Sequence, residues 1–139
     1  MRHLKKGRKL NRTNTHRASM ISNLASSLVF HKRIRTTLPK AKTLKPFIER
    51  LVTYSKYNDK VHGRRLIISR ITGSNRKKVA DLLIHDIAPQ YNSRDGGYTR
   101  IIKLENRKND NAEMCFIEFV KLITVTNKTE DEKSKETKE

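Results

Sequence analysis

The chain has 139 residues and a formal net charge of +18, from 32 Lys and Arg against 14 Asp and Glu. This length suits one domain of ordinary size. The apolar share is 35%, below the roughly 45–50% typical of soluble domains, so we expect a core in part of the chain only. The single cysteine, Cys115, excludes an internal disulfide and a cysteine-rich zinc site.

The sequence contains no membrane-spanning or secretory pattern. No apolar run approaches the ~18 residues that a membrane span needs. The N-terminus is basic but lacks the apolar segment of a secretory signal, whereas its charge remains compatible with a mitochondrial transit peptide. We therefore expect a reduced, cytoplasmic protein that binds a polyanion, with no membrane partner.

Positive charge is concentrated in residues 1–45, which contain no Asp or Glu; the first acidic residue is Glu49. Such a segment repels itself unless a polyanion neutralises it. A merely solubilising surface would mix charges of both signs. Basic blocks beside folded segments are typical of nucleic-acid-binding proteins, so nucleic acid is the predicted partner.

Three regions are predicted along the chain. Residues 1–12 have only Leu4 and Leu10 as sizeable apolar side chains, so we expect an extended basic arm that orders on RNA. Residues 13–122 form the predicted domain. Residues 123–139 are predicted to be a disordered charged tail, since from Asn127 onward Lys and acidic residues nearly balance and apolar residues are absent.

The first helix is predicted to begin near residues 13–15, where Thr and Asn can cap it. Helical spacing predicts one apolar face of Ala18, Ile21, Leu24, Ala25 and Leu28. The opposite face would carry the short polar side chains of Ser19, Ser22, Asn23 and Ser26. These side chains would either be solvated or allow an RNA backbone to approach closely.

A short strand is predicted over residues 31–37, and its Lys and Arg residues favour an edge position. A second helix is predicted from Leu38, with Thr37 as its cap and Pro39 in its first turn. Pro46 would lie on the polar face of this helix, which favours one kinked helix over two separate helices.

Two more helices are predicted, the first capped by Asn58 or Asp59 and ending at Gly73. The next would be capped by Ser74 and end at Pro89. A loop with a turn at residues 95–97 follows, and then two strand-like runs over residues 99–105 and 113–120. In the second run, Cys115, Ile117 and Phe119 alternate with Met114, Phe116 and Glu118.

The predicted fold class is therefore α/β, of the α+β type. The predicted order is helix, strand, three helices and two strands, with the helices on one face of a small mixed sheet. The basic N-terminal arm precedes this two-layer domain.

Four stretches of the sequence resemble one family. They are MRHLKKGRKLNRTNTHR, TTLPKAK, SRDGGYTRI and NDNAEMCFIE, in this order and spacing. They resemble the bacterial large-subunit ribosomal protein L17 family over residues 1 to about 121. The resemblance implies a structural component of the large ribosomal subunit that binds rRNA near the exit of the peptide tunnel, beside other large-subunit proteins. Pro46 and the tail after about Asn127 depart from the family pattern.

The candidate RNA-binding residues lie in the arm, around the first strand, and beside the turn at residues 95–97. Two glycines of that turn permit positive φ and a close approach of the backbone to RNA. The predicted RNA-binding set is Arg2, His3, Lys5, Lys6, Arg8, Lys9, Arg12, His16, Arg17, Lys32, Arg35, Lys40, Lys42, Arg94, Gly96, Gly97, Tyr98 and Arg100.

No pattern in the sequence predicts catalysis, a metal site, a cofactor or a small-molecule substrate. The histidines lack ligand-like spacing, and no Gly-rich phosphate-binding motif or carboxylate pair is present. Cys115 is predicted to be a small buried residue of a strand. We therefore expect no enzyme, although a nuclease or RNA-modifying activity is one alternative.

A second alternative is a DNA-binding regulator. Residues 68–84 can be drawn as helix, turn at Gly73 and helix, as in a helix-turn-helix. Against this interpretation, basic residues concentrate before residue 46, and the second helix carries Asp81 and Asp86.

Overall fold

The structure is a computed structural model that describes residues 7–120. Its elements follow the predicted order of helix, strand, three helices and two strands. They are α1 (Asn14–His31), β1 (Arg33–Thr37), α2 (Leu38–Ser55), α3 (Lys60–Arg70), α4 (Arg76–Leu82), β2 (Thr99–Lys103) and β3 (Met114–Phe119). A π-helical turn (Leu83–Ile87) and a 3₁₀ turn (Ala88–Tyr91) continue directly from α4.

The three strands form one sheet in the order β1-β3-β2, so β1 lies at an edge as predicted. Both outer strands pair with β3 in antiparallel orientation. The expectation of a mixed sheet is therefore wrong in this detail. The reason is that β3, the last strand, inserts between the other two and runs opposite to each of them.

The helices cover one face of the sheet, and the core lies between the two layers. On β3 the inward side chains are Cys115, Ile117 and Phe119, which are fully buried. They pack with apolar side chains of the helices, including Leu44 and Ile48 of α2. Burial of this apolar surface is the main term that stabilises the fold.

α2 is one helix through Pro46, as predicted, and it begins after Thr37. Proline lacks the N–H that would bond to the carbonyl of Lys42. Lys42 and Pro46 are both exposed, so water can satisfy that carbonyl. The buried stripe of the helix therefore continues on its other side.

The end of α3 and the start of α4 differ from the predicted boundaries. α3 is capped by Asp59, whose Oδ1 accepts hydrogen bonds from the backbone N–H groups of Val61 and His62, both at 3.0 Å. The helix ends at Arg70, before Gly73. Asn75, rather than Ser74, is the residue that precedes α4.

The predicted stop at Pro89 is also wrong. Pro89 occupies an early position of the 3₁₀ turn, where its missing N–H removes no helical bond, and the turn extends to Tyr91. The preceding π-helical turn buries Leu83, Ile84 and Ile87 against the other helices.

The polar face predicted for α1 is only partly exposed. Ser22 is buried, where its hydroxyl donates to the carbonyl of Thr72 at 3.2 Å and accepts from the Thr72 N–H at 2.8 Å. Ser22 therefore joins α1 to the segment after α3, and the prediction that it faces solvent or RNA is wrong. Ala18, predicted on the apolar face, is exposed.

The predicted arm and tail fall largely outside the described residues, which exclude 1–6 and 121–139. The domain boundaries thus remain predictions. No helix of the described residues 7–120 is long and apolar enough to cross a membrane.

Candidate nucleic-acid interface

Several predicted RNA-binding residues meet where the arm joins α1. Residues 7–12 contain no helix or strand, and the chain turns at Leu10 and Asn11, which have φ of 54° and 50°. This part of the arm is therefore bent, whereas an extended arm was predicted.

Arginines of the predicted set stabilise this turn. Arg17 donates from Nη1 to the carbonyls of Lys9, at 3.3 Å, and Arg12, at 3.2 Å. Arg12 donates to the carbonyl of Leu10 at 3.1 Å and approaches His16 Nε2 at 3.4 Å. The side chains of Arg8, Lys9 and His16 are exposed. The junction is therefore a preorganised cluster of cations. Four other residues of the predicted set lie outside the described residues, namely Arg2, His3, Lys5 and Lys6.

A second group of predicted residues surrounds β1. Lys32 follows α1 with φ of 62° and closes the helix by donating its N–H to the carbonyl of Leu28. Burial lowers the pKa of Lys32, and the charge of Asp86 partly opposes this shift. Arg35 and Lys42 are exposed and Lys40 is half-buried. Lys32 is thus partly structural, and the other three cations are accessible.

The loop before β2 is held by Lys56, the residue that directly follows α2. Lys56 donates from Nζ to the carbonyl of Arg94 at 2.6 Å, and Arg94 Nε donates to the carbonyl of Gly96 at 2.9 Å. Gly97 has a φ of 61°, a conformation that favours glycine. The predicted turn is confirmed, and Arg94 helps to shape it.

Tyr98 corrects the predicted contact set. Its side chain is 2% exposed, and its ring packs edge-on against Tyr91 with centroids 5.3 Å apart. A ring in the core cannot stack on RNA at the surface. The prediction that Tyr98 contacts RNA through its side chain is therefore wrong; its position is that of an anchor for the loop.

Arg100 lies on the sheet rather than in the loop. Its side chain occupies the face that the helices leave open, where Nε donates to Glu118 Oε1 at 2.5 Å. Arg33, which the predicted set omitted, approaches Glu118 Oε2 at 3.2 Å. This second contact is an ion pair without hydrogen-bond geometry, because Oε2 accepts no hydrogen bond in the described structure. Glu118 thus joins two arginines across three strands.

The sheet register explains why sequence reasoning missed this site. Arg33, Glu118 and Arg100 occupy one cross-strand row, and Arg35, Phe116 and Ile102 occupy the next. The alternation of β3 did indicate that Phe116 and Glu118 share a face. The half of each row that joins β1 to β3 depends on a pairing between residues more than 80 positions apart in sequence, which no local pattern encodes.

The described residues also bear on metal binding. No group of three or more His, Cys, Asp or Glu within residues 7–120 could hold a metal ion. Burial raises the pKa of the Cys115 thiol, which donates to the carbonyl of Thr36 at 3.4 Å. Such a thiol is a poor nucleophile.

Comparison with known proteins gives the family. Residues 20–120 match the family described as ribosomal protein L17. The chain belongs to the ribosomal protein L17 family. This membership agrees with the resemblance seen in the four sequence stretches.

The relatives are similar over most of their length. A large ribosomal subunit protein bL17 of Wolbachia pipientis is 50% identical over 120 residues, which covers 86% of this chain and 83% of the relative. The bL17 of Ehrlichia chaffeensis is 50% identical over 130 residues, covering 90% and 96%. The bL17 of Methylacidiphilum infernorum is 50% identical over 119 residues, covering 86% and 88%.

Proposed function

We propose that the chain is a structural constituent of the large ribosomal subunit that binds and stabilises large-subunit rRNA, near the exit of the peptide tunnel. The observation that carries the proposal is the 50% identity to proteins named large ribosomal subunit protein bL17, over 86% and 90% of this chain. The position near the tunnel rests on the family resemblance. Neighbouring large-subunit proteins are the other partners, and the compartment is that of cytoplasmic ribosomes.

The charge distribution supports an rRNA partner. Residues 1–45 contain no acidic residue, and the formal net charge of the chain is +18. In the free protein these cations repel one another, and phosphate groups would remove this repulsion. The proposed contacts are the predicted set without the Tyr98 ring.

The geometry of the arm junction supports a positioning role. Arg17 and Arg12 hold the turn at residues 9–12 by hydrogen bonds to backbone carbonyls. The basic arm, residues 1–12, would lie between rRNA segments and hold them together. No catalytic step, cofactor or small-molecule substrate belongs to this function.

Salt dependence of rRNA binding tests the proposal. Full-length protein would be titrated into deproteinised large-subunit rRNA between 50 and 200 mM salt in a filter-binding assay. If 6–10 phosphates are neutralised, affinity should fall by about 10³–10⁵, with a shallower slope where the RNA is single-stranded. A flat plot of log affinity against log salt would contradict polyanion binding.

A competitor separates rRNA from DNA in the same assay. Duplex DNA of random sequence should compete for the protein far less effectively than the rRNA, because it presents only the phosphate contacts. Equal competition by mass would contradict specific rRNA binding and would favour the DNA-binding alternative.

A further inference from the structure

The open face of the sheet carries cations around one aromatic ring. Its central strand presents Phe116 and Glu118, and the flanking strands present Arg33, Arg35 and Arg100. Phe116 is half-buried, whereas the three arginines are exposed. The helices lie on the other side, so no described element covers these side chains.

Glu118 fixes two of the arginines in place. Its side chain is only 1% exposed, while Arg33 is 45% and Arg100 is 53% exposed. Both arginines approach the carboxylate through Nε. The buried carboxylate therefore fixes the position of both guanidinium groups, which still present N–H donors to solvent. Phosphate groups are recognised by guanidinium donors held in this way.

Phe116 is presented beside a cavity. The guanidinium carbon of Arg33 lies 3.8 Å from the centroid of the ring, so Arg33 covers one face of it. Phe116 also lines a cavity of about 540 Å³. Its lining includes Arg35, Leu104, Arg107 and Lys108, but not Arg33.

The chemistry of this cavity fits a nucleotide. Its volume lies within the range of about 300–1,000 Å³ for small-ligand sites. Phe116 and Leu104 offer an apolar surface to a base, and Arg35 and Lys108 offer positive charge to a phosphate. Arg107 is held by Asp110, with Nε–Oδ1 at 2.8 Å and Nη2–Oδ2 at 2.6 Å.

We propose that this cavity on the open face of the sheet binds one unpaired nucleotide of rRNA, with the base against Phe116 and the phosphate at Arg35 and Lys108. Some RNA-binding domains hold single-stranded RNA in this way, on aromatic rings of a sheet, because any base can stack on a ring. Charge complementarity selects this occupant, since cations outnumber Glu105 in the cavity wall. The inference rests on the proposed rRNA-binding function and adds Phe116 and Lys108 to the predicted contacts.

A Phe116→Leu variant of the full-length protein tests the stacking contact, because leucine keeps an apolar side chain but has no ring. Affinity for deproteinised large-subunit rRNA should fall about fivefold to a hundredfold, the equivalent of one stacked base. The salt slope should not change, since no phosphate contact is lost. Phe30→Leu is the matched control, because Phe30 is 38% exposed at a different cavity, beside α4.

A second variant tests the phosphate contact without touching the core. Arg35→Gln with Lys108→Gln should lower the salt slope by about 0.7 to 0.9, because both side chains are proposed to contact the same single phosphate. Thermal melting of each variant shows whether the fold persists. If Phe116→Leu does not fold, the salt slope of the double Gln variant tests the site by itself. An unchanged slope in that variant would then overturn the nucleotide site.

The outcomes separate this inference from the proposed function. Unchanged rRNA affinity in folded Phe116→Leu, with wild-type binding intact, would overturn the nucleotide site and leave the proposed function standing. Absence of wild-type binding would overturn both. Unchanged rRNA affinity with lost incorporation into large subunits would show that the face meets a neighbouring protein, which also overturns the nucleotide site.

Discussion

Glu118 is buried on the open face of the sheet, yet both arginines that pair with it are exposed to solvent. A buried carboxylate is stable only when charge or hydrogen bonds compensate its lost hydration. Arg100 supplies the hydrogen bond and Arg33 supplies additional charge. The two arginines are thus held by one residue that no RNA needs to touch.

Glu118→Gln should destabilise the fold by about 1–3 kcal/mol, because a charge-assisted hydrogen bond is lost. The lower part of this range is expected, since the exposed arginines regain water. Urea unfolding would measure the change. The control is Glu105→Gln at an exposed position, which should alter stability by less than about 0.5 kcal/mol. Equal changes in the free energy of unfolding for the two substitutions would contradict a stabilising role of the Glu118 carboxylate.

Asp110 supplies a prediction about pH. The hydrogen bond from Arg107 lowers the pKa of Asp110 from its usual 3.8 to about 2. Because the folded-state pKa is depressed, the contribution of this pair to stability is present above pH 3.8 and is lost as pH falls through about 2. NMR titration of the carboxyl group should give a midpoint near 2, and in Arg107→Gln it should return toward 3.8. A normal midpoint in the wild type would contradict the pairing.

The contact between α2 and α3 depends on a glycine. Gly63 is buried inside α3, and a Cβ at this position would overlap the backbone carbonyl of Tyr54 in α2. Backbone atoms cannot move aside as the end of a flexible side chain can. The close crossing of the two helices therefore requires a residue without a side chain.

Gly63→Ala should lower stability by about 1–3 kcal/mol through overpacking. In an exposed helix the same change would raise stability by about 1 kcal/mol, because alanine favours the helix. Denaturant unfolding shows whether Gly63→Ala lowers or raises the free energy of unfolding. Arg65→Ala, at an exposed position of the same helix, is the control and should be nearly neutral. Stabilisation by Gly63→Ala would contradict the close crossing.

At the scale of elements, the sequence predicted those features of helices and strands that depend only on neighbouring residues. The alternation in β3 and the cap at Asp59 were visible because strand periodicity and capping depend on neighbouring residues. The burial of Ser22 was not visible, since its partner Thr72 is 50 residues away in sequence. The π-helical turn after α4 could not be predicted either, because packing against other helices determines it.

At the scale of the whole molecule, a neutral core is surrounded by unbalanced positive charge. Within residues 7–120 the buried charged side chain is that of Glu118, and the core residues are otherwise apolar or small polar groups. The cations therefore remain at the surface, where they contribute little to stability. Family membership and charge were evident in the sequence, whereas the nucleotide cavity required the strand register.

Retention in large ribosomal subunits during high-salt sucrose-gradient sedimentation tests the central claim most directly. The tagged full-length chain should stay in the large-subunit peak. Changing Arg8, Lys9 and Arg12 to Ala should release it at lower salt with a nearly unchanged melting temperature. The matched control changes Lys133, Lys135 and Lys138 to Ala and should be retained like the wild type. Wild-type chain at the top of the gradient, or equal release of both variants, would contradict the account.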